Sequence, residues 1–120
     1  MLKHIVLVGL GGAIGSILRF AVTLALRSSL FPYGTFFVNL IGSFFIGLAF
    51  AYSLRNPAFE TNWRLFITAG LCGGFTTFSA FSLENLSLLQ QQKIALFLVY
   101  AAGSVLCGLL ATWAGYKLGA

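Results

Sequence analysis

From Leu65 to Leu83 the chain runs nineteen residues without a charged side chain. Within that run, Gly70-Leu71-Cys72-Gly73-Gly74-Phe75-Thr76-Thr77-Phe78-Ser79-Ala80-Phe81-Ser82 holds three glycines, two threonines, two serines and three phenylalanines. A helix in lipid must satisfy its own backbone groups. Adjacent glycines followed by two β-branched hydroxyl residues therefore mark an unwinding, tolerated only where the freed groups face protein, water or an ion. The stretch reads as a broken helix. Past the break Phe75, Phe78 and Phe81 recur every third residue with Ser79 and Ser82 beside them, so an aromatic face flanked by hydroxyls is expected. A plainer reading has the phenylalanines facing lipid and the serines bonded to i−4 carbonyls; the glycine break is what argues against it.

The remaining sequence points to a bilayer as well. With 59% hydrophobic and 8% charged residues, the chain lacks the roughly 25% charged residues of a soluble domain. Ile5 to Leu26, Gly34 to Leu54, Leu65 to Leu89 and Ile94 to Tyr116 are each near or above the ~20 residues a spanning helix needs. Residues 1–120 thus read as a single all-α membrane domain of four transmembrane helices, the third broken. Lys3 ahead of an apolar run resembles the start of a signal peptide, but Arg19 lies beyond that run and further apolar segments follow, so an uncleaved first helix is expected. The net charge of +5 rests on seven Lys/Arg against Glu60 and Glu84. Most of those cations sit at segment ends as interfacial anchors, and nucleic-acid binding is not indicated. Cys72 and Cys107 have no CxxC spacing or nearby His, which gives neither a zinc site nor a disulfide framework.

Gly9-Leu10-Gly11-Gly12-Ala13-Ile14-Gly15-Ser16 fails as a dinucleotide fingerprint, because Ile14 stands where the third glycine of GxGxxG would fall. Gly11 and Gly15, with Gly12 and Ser16, instead form small-xxx-small pairs that admit a close helix neighbour. Arg19 lies deep in the same helix, where an unpaired guanidinium costs at least ~2.5 kcal/mol. It either snorkels to the far interface, as Arg27 nearby allows, or lines an anion-attracting vestibule. A turn through Ser28, Ser29 and Pro32-Tyr33-Gly34 leads to a second helix carrying Asn39, either glue between helices or a pair of N–H donors for a dehydrated anion. The connection from Leu54 to Arg64, with Glu60, reads as a solvated loop with Trp63 and Arg64 at the interface. The last helix sets Tyr100, Ser104, Gly108 and Thr112 at i, i+4 spacing, a polar or small stripe that packs or lines a path.

Nothing here pairs a nucleophile with a base or gathers metal ligands, so an enzyme is not expected. Hydroxyls, an amide, an arginine and clustered phenylalanines within apolar helices are the inventory of a permeation pathway. The motif Gly73-Gly74-Phe75-Thr76-Thr77-Phe78-Ser79-Ala80-Phe81-Ser82 resembles the signature of the Fluc (CrcB) fluoride channels. Gly11-Gly12-Ala13-Ile14-Gly15 with Arg19, and Pro32-Tyr33-Gly34-Thr35 with Asn39 and Gly42-Ser43, resemble the same family's first two helices. The resemblance implies a passive, multi-pass fluoride channel of the bacterial inner membrane that keeps intracellular fluoride low. It implies an antiparallel dual-topology homodimer with two pores. By the same resemblance Phe78, Phe81 and Asn39 face the permeating anion, and Tyr100 and Ser104 form a polar track. Thr77, Ser79 and Ser82 supply hydroxyls, Glu84 is the motif's acidic residue, and Arg19 is the vestibule arginine. Gly73 and Thr76 would give backbone carbonyls to a central structural sodium ion. Gly108 departs from relatives with a further hydroxyl there, which leaves the length of the polar track open.

The chemistry of the residues is compatible with that expectation. A pore for strongly hydrated fluoride must replace water with N–H and O–H donors, and aromatic ring edges flank an anion without trapping it. The competing classes are a small four-helix multidrug exporter, which needs an embedded carboxylate typically in its first helix, where this chain has Arg19, and a non-transporting membrane subunit. With four spans, Lys3, Arg55, Arg64 and Lys117 fall on one side, and Arg27 and Lys93, with Arg19 if it snorkels, on the other. That imbalance is too small to fix one orientation under the positive-inside rule.

Overall fold

The computed structural model describes residues 1–59 and 61–120; Glu60, expected in the polar loop, lies outside the described residues. Helix α1 spans Leu2–Ala25 and α2 spans Tyr33–Arg55. Helix α3, residues 61–75, is composite: an α-helical turn Thr61–Leu65, a π-helical stretch Phe66–Cys72 and a last α-turn Gly73–Phe75. After a break, α4 spans Ser79–Gln90 and α5 spans Ile94–Gly119. No strand occurs among the described residues. With α3 and α4 taken as one interrupted span, four helices are long and apolar enough to cross a membrane. The 24 residues of α1 give a rod of about 36 Å at ~1.5 Å per residue, enough for a ~30 Å hydrocarbon core. Ile17, Phe20, Leu98, Leu109, Leu110 and Trp113 stand exposed on the outer faces, as side chains do when lipid is their solvent.

Between helices that lipid does not push together, backbone proximity supplies the packing. Gly11 and Gly15 of α1 lie directly against α3: a methyl group at Gly15 would stand 2.7 Å from the Phe75 nitrogen, and one at Gly11 2.6 Å from the Phe66 carbonyl oxygen. From the opposite side, a methyl at Gly74 would stand 2.5 Å from the Gly12 oxygen. Helices α2 and α5 meet in the same way, Gly47 against the Thr112 carbonyl and Gly115 against that of Phe44.

These contacts correct the expected place of the break. Gly73 and Gly74 are helical, Gly73 with φ −62 and ψ −39; Gly74 serves close approach to Gly12, while a methyl at Gly73 would make only an ordinary contact, 3.6 Å from the Thr68 carbonyl oxygen. The helix ends at Thr76, whose ψ of 158 sends the chain extended before it turns again at Ser79. Phe75 therefore belongs to the half-helix before the break and Phe81 to the one after it. The three-residue recurrence of Phe75, Phe78 and Phe81 crosses a discontinuity and does not describe one continuous helical face.

Helix α4 returns to α5 through a tight turn in which Lys93 N–H donates to the Leu88 carbonyl (2.9 Å) and Gln92 takes a left-handed φ of 59. That is the helix-ending geometry usually given to glycine. At the other end of the molecule Arg55 Nη1 donates to the Gly119 carbonyl (2.9 Å), tying α2 to α5.

Candidate functional site

The backbone at the break loses its helical hydrogen bonds, and several of the freed groups find side-chain or main-chain partners. Thr76 N–H and its hydroxyl both donate to the Cys72 carbonyl, at 3.0 and 2.9 Å, closing the first half-helix. Thr77 N–H donates to Asn39 Oδ1 (2.8 Å), while Asn39 Nδ2 donates to the Thr77 carbonyl (3.0 Å). The asparagine thus pairs with Thr77 as a neighbouring strand would and fixes the unwound residue to α2. Ala80 N–H donates to Thr77 Oγ1 (3.2 Å), so Thr77 also caps the start of α4. Ser79 Oγ lies 3.3 Å from the same hydroxyl.

Two of the main-chain oxygens at the break lose their helical donors to side chains. In a continuous helix the Gly73 carbonyl would receive Thr77 N–H and the Thr76 carbonyl would receive Ala80 N–H; both donors are diverted, to Asn39 and to the Thr77 side chain. Those are the two carbonyls that the family resemblance implied for a cation. Unwound backbone oxygens of this kind suit a hard ion such as sodium. The described residues hold no cluster of three or more His, Cys, Asp or Glu.

A cavity of about 380 Å³ opens beside the break. Asn39, Ser43, Thr76, Thr77, Phe78 and Phe81 line it together with Gly73, Ser104 and Gly108. Asn39 has spent one of its two N–H bonds on Thr77, which leaves one for an occupant. Ser104 Oγ is buried and has no hydrogen-bond partner, an unsatisfied hydroxyl in the cavity wall. Phe78 and Phe81 stand with ring centroids 5.8 Å apart and planes inclined by 46°. Phe81 rests on Tyr100 at 5.1 Å, whereas Phe78 is 77% exposed.

Glu84 lies one turn beyond Phe81 and joins three helices. Its Oε2 accepts from the Thr35 hydroxyl (2.9 Å) and its Oε1 from the Tyr100 hydroxyl (2.8 Å). Thr35 and Tyr100 are both buried. The carboxylate is therefore held by two neutral donors, one from α2 and one from α5.

The structure brings Asn39, Phe78, Phe81, Thr77, Ser104, Gly73 and Thr76 around one cavity, with Tyr100 and Glu84 adjoining through Phe81. It does not bring in Ser79 and Ser82, which are exposed and outside the lining. Arg19 donates through its Nε to the Gly74 carbonyl (3.1 Å) at the end of the first half-helix. The polar stripe of the last helix also divides. Ser104 and Gly108 line the cavity, Tyr100 binds Glu84, and the Thr112 hydroxyl turns back to the Gly108 carbonyl (3.0 Å).

Two participants escaped the sequence reading as site residues. Thr35 sits one turn before Asn39, so the spacing Thr35, Asn39, Gly42, Ser43 was itself a polar helical face. Asn85 is a second buried amide: its Nδ2 donates to the Phe81 carbonyl (2.9 Å) and its Oδ1 is buried without a partner. An amide inside an apolar span was the available signal.

Comparison with known proteins agrees with this architecture. The family model described as CrcB-like protein, Camphor Resistance (CrcB), matches residues 6–116. A protein of Azobacteroides pseudotrichonymphae named fluoride-specific ion channel FluC is 47% identical, over 98% of this chain and 97% of its own. Namesakes from Thermus thermophilus (47%, covering 98% and 94%) and Aquifex aeolicus (45%, covering 93% and 93%) are similar throughout. A family match over nearly all of the chain, joined to four membrane-spanning helices with a break in the third span, places this multi-pass membrane protein in the CrcB family.

Proposed function

We propose that this chain is a fluoride-selective channel that lets cytoplasmic fluoride leave by passive electrodiffusion and so lowers its intracellular level. The observation that carries the reading is near-full-length identity of 44–47% to proteins named fluoride-specific ion channel FluC. The cavity chemistry supports it. One free N–H of Asn39, the unpaired hydroxyl of Ser104 and the ring edges of Phe78 and Phe81 are weak donors to an anion, suited to replacing hydration without holding the ion.

The active assembly is an antiparallel homodimer with two pores. Phe78 projects with most of its surface uncovered, and a second, inverted copy would enclose it. The two-fold axis would also double the carbonyls of Gly73 and Thr76, giving a central sodium ion four oxygens where one chain offers two. Near-balanced loop charges favour insertion in both directions.

Purified protein in potassium-fluoride-loaded liposomes provides the test. Fluoride efflux should require a potassium shunt and greatly exceed chloride efflux. Strict dependence on a proton gradient would instead assign Glu84, an embedded carboxylate, to a proton-coupled exporter. Labelling of single cysteines from each side should find both orientations; one orientation only would remove the antiparallel dimer.

A further inference from the structure

We infer that Arg19 is a positioning residue that holds the first half-helix at the break through its Nε–H, and that its contribution is this hydrogen bond and not its charge. The inference rests on the channel reading above. Helix α1 presents Gly11, Gly12 and Gly15 along α3 so closely that backbone meets backbone. Arg19 follows Gly15 by one turn on the same face and is the polar link at the end of that seam. Its Nε reaches the Gly74 carbonyl at 3.1 Å, across 55 residues of sequence. In a continuous helix that carbonyl would take Phe78 N–H, but the chain has already turned extended at Thr76. Arg19 thereby satisfies the freed oxygen between Gly73, which lines the cavity, and Thr77, which Asn39 holds from the opposite side. The break is clamped from α1 and from α2, and loss of either clamp lets the lining residues move.

Chain length separates the bond from the charge. Glutamine carries its side-chain nitrogen the same number of bonds from Cα as arginine carries Nε, so Arg19→Gln keeps an N–H donor there without charge. Arg19→Met has similar length and neither donor nor charge. In the liposome assay Arg19→Gln should keep fluoride flux within about threefold of wild type, while Arg19→Met should lose at least about tenfold, the scale of leaving the Gly74 carbonyl without a donor. Solid-state NMR on the wild-type protein, with 15N-arginine and 13C-carbonyl glycine, should show Arg19 Nε close to the Gly74 carbonyl carbon, independent of any variant's folding. Absence of that contact overturns the inference, as does an inactive Gln variant beside an active Arg19→Lys, or wild-type flux in the Met variant. A wild-type protein that shows the NMR contact but moves no fluoride would instead refute the channel reading.

Discussion

Replacing Asn39 with alanine removes both hydrogen bonds that fasten Thr77 to α2, at 3.0 and 2.8 Å. Thr77 then keeps a main-chain N–H and a carbonyl with no partner on α2. An unsatisfied buried polar group costs about 1–3 kcal/mol. Thr77 is only part-buried and the cavity beside it admits water, which places the pair toward the low end, about 2–3 kcal/mol in total. At ~1.4 kcal/mol per tenfold, that free energy lowers the equilibrium constant for the ordered break by roughly 30- to 140-fold. The variant also loses the one N–H that Asn39 directs toward the cavity. Fluoride efflux from liposomes should therefore fall by at least about thirtyfold, with a matching loss of chemical-denaturation stability in detergent. An Asn39→Ala protein that keeps flux within threefold, with stability unchanged to about 0.5 kcal/mol, would refute the clamp. A large loss of flux with unchanged stability would assign Asn39 to the ion alone.

Phe78→Ile and Phe81→Ile keep bulk but remove the ring quadrupole, and each should cut fluoride flux about three- to tenfold, the ~0.5–1.5 kcal/mol that aromatic geometry contributes beyond buried area; unchanged flux in both would leave the rings as packing. Gly74→Ala places a methyl 2.5 Å from the Gly12 carbonyl oxygen and should destabilise by about 1–3 kcal/mol, whereas Gly103→Ala enters open space and should be neutral or slightly stabilising by denaturation. Gln92→Gly relieves a left-handed residue at the α4–α5 turn and should raise stability by up to about 1 kcal/mol in the same assay, without altering flux.

The sequence disclosed most where a single physical rule governs. Apolar length fixed four spans, and the crowding of glycine and hydroxyl residues located the third span's interruption within a few residues. It misplaced the break itself, because Gly74 carries two signals at once. A glycine weakens a helix and also admits a neighbouring backbone, and only the position of Gly12 against Gly74 reveals which applies. The π-helical stretch Phe66–Cys72, which lies against α1, left no readable mark in the sequence. Partnerships across helices were the least legible. Asn39 was visible as a buried amide, yet its pairing with Thr77 depends on the register of α2 against the break. Thr35 and Tyr100 each looked like one more hydroxyl until Glu84 was seen to join them.

The most direct test of the central claim is the reversal potential of the purified protein in a planar bilayer, under a tenfold fluoride gradient with chloride and proton concentrations equal on the two sides. A passive fluoride-selective pore should reverse near the fluoride equilibrium potential, about 59 mV for a monovalent ion at 25 °C. A reversal potential near zero would contradict fluoride selectivity, and a potential that moves when only the pH gradient is changed would contradict passive permeation.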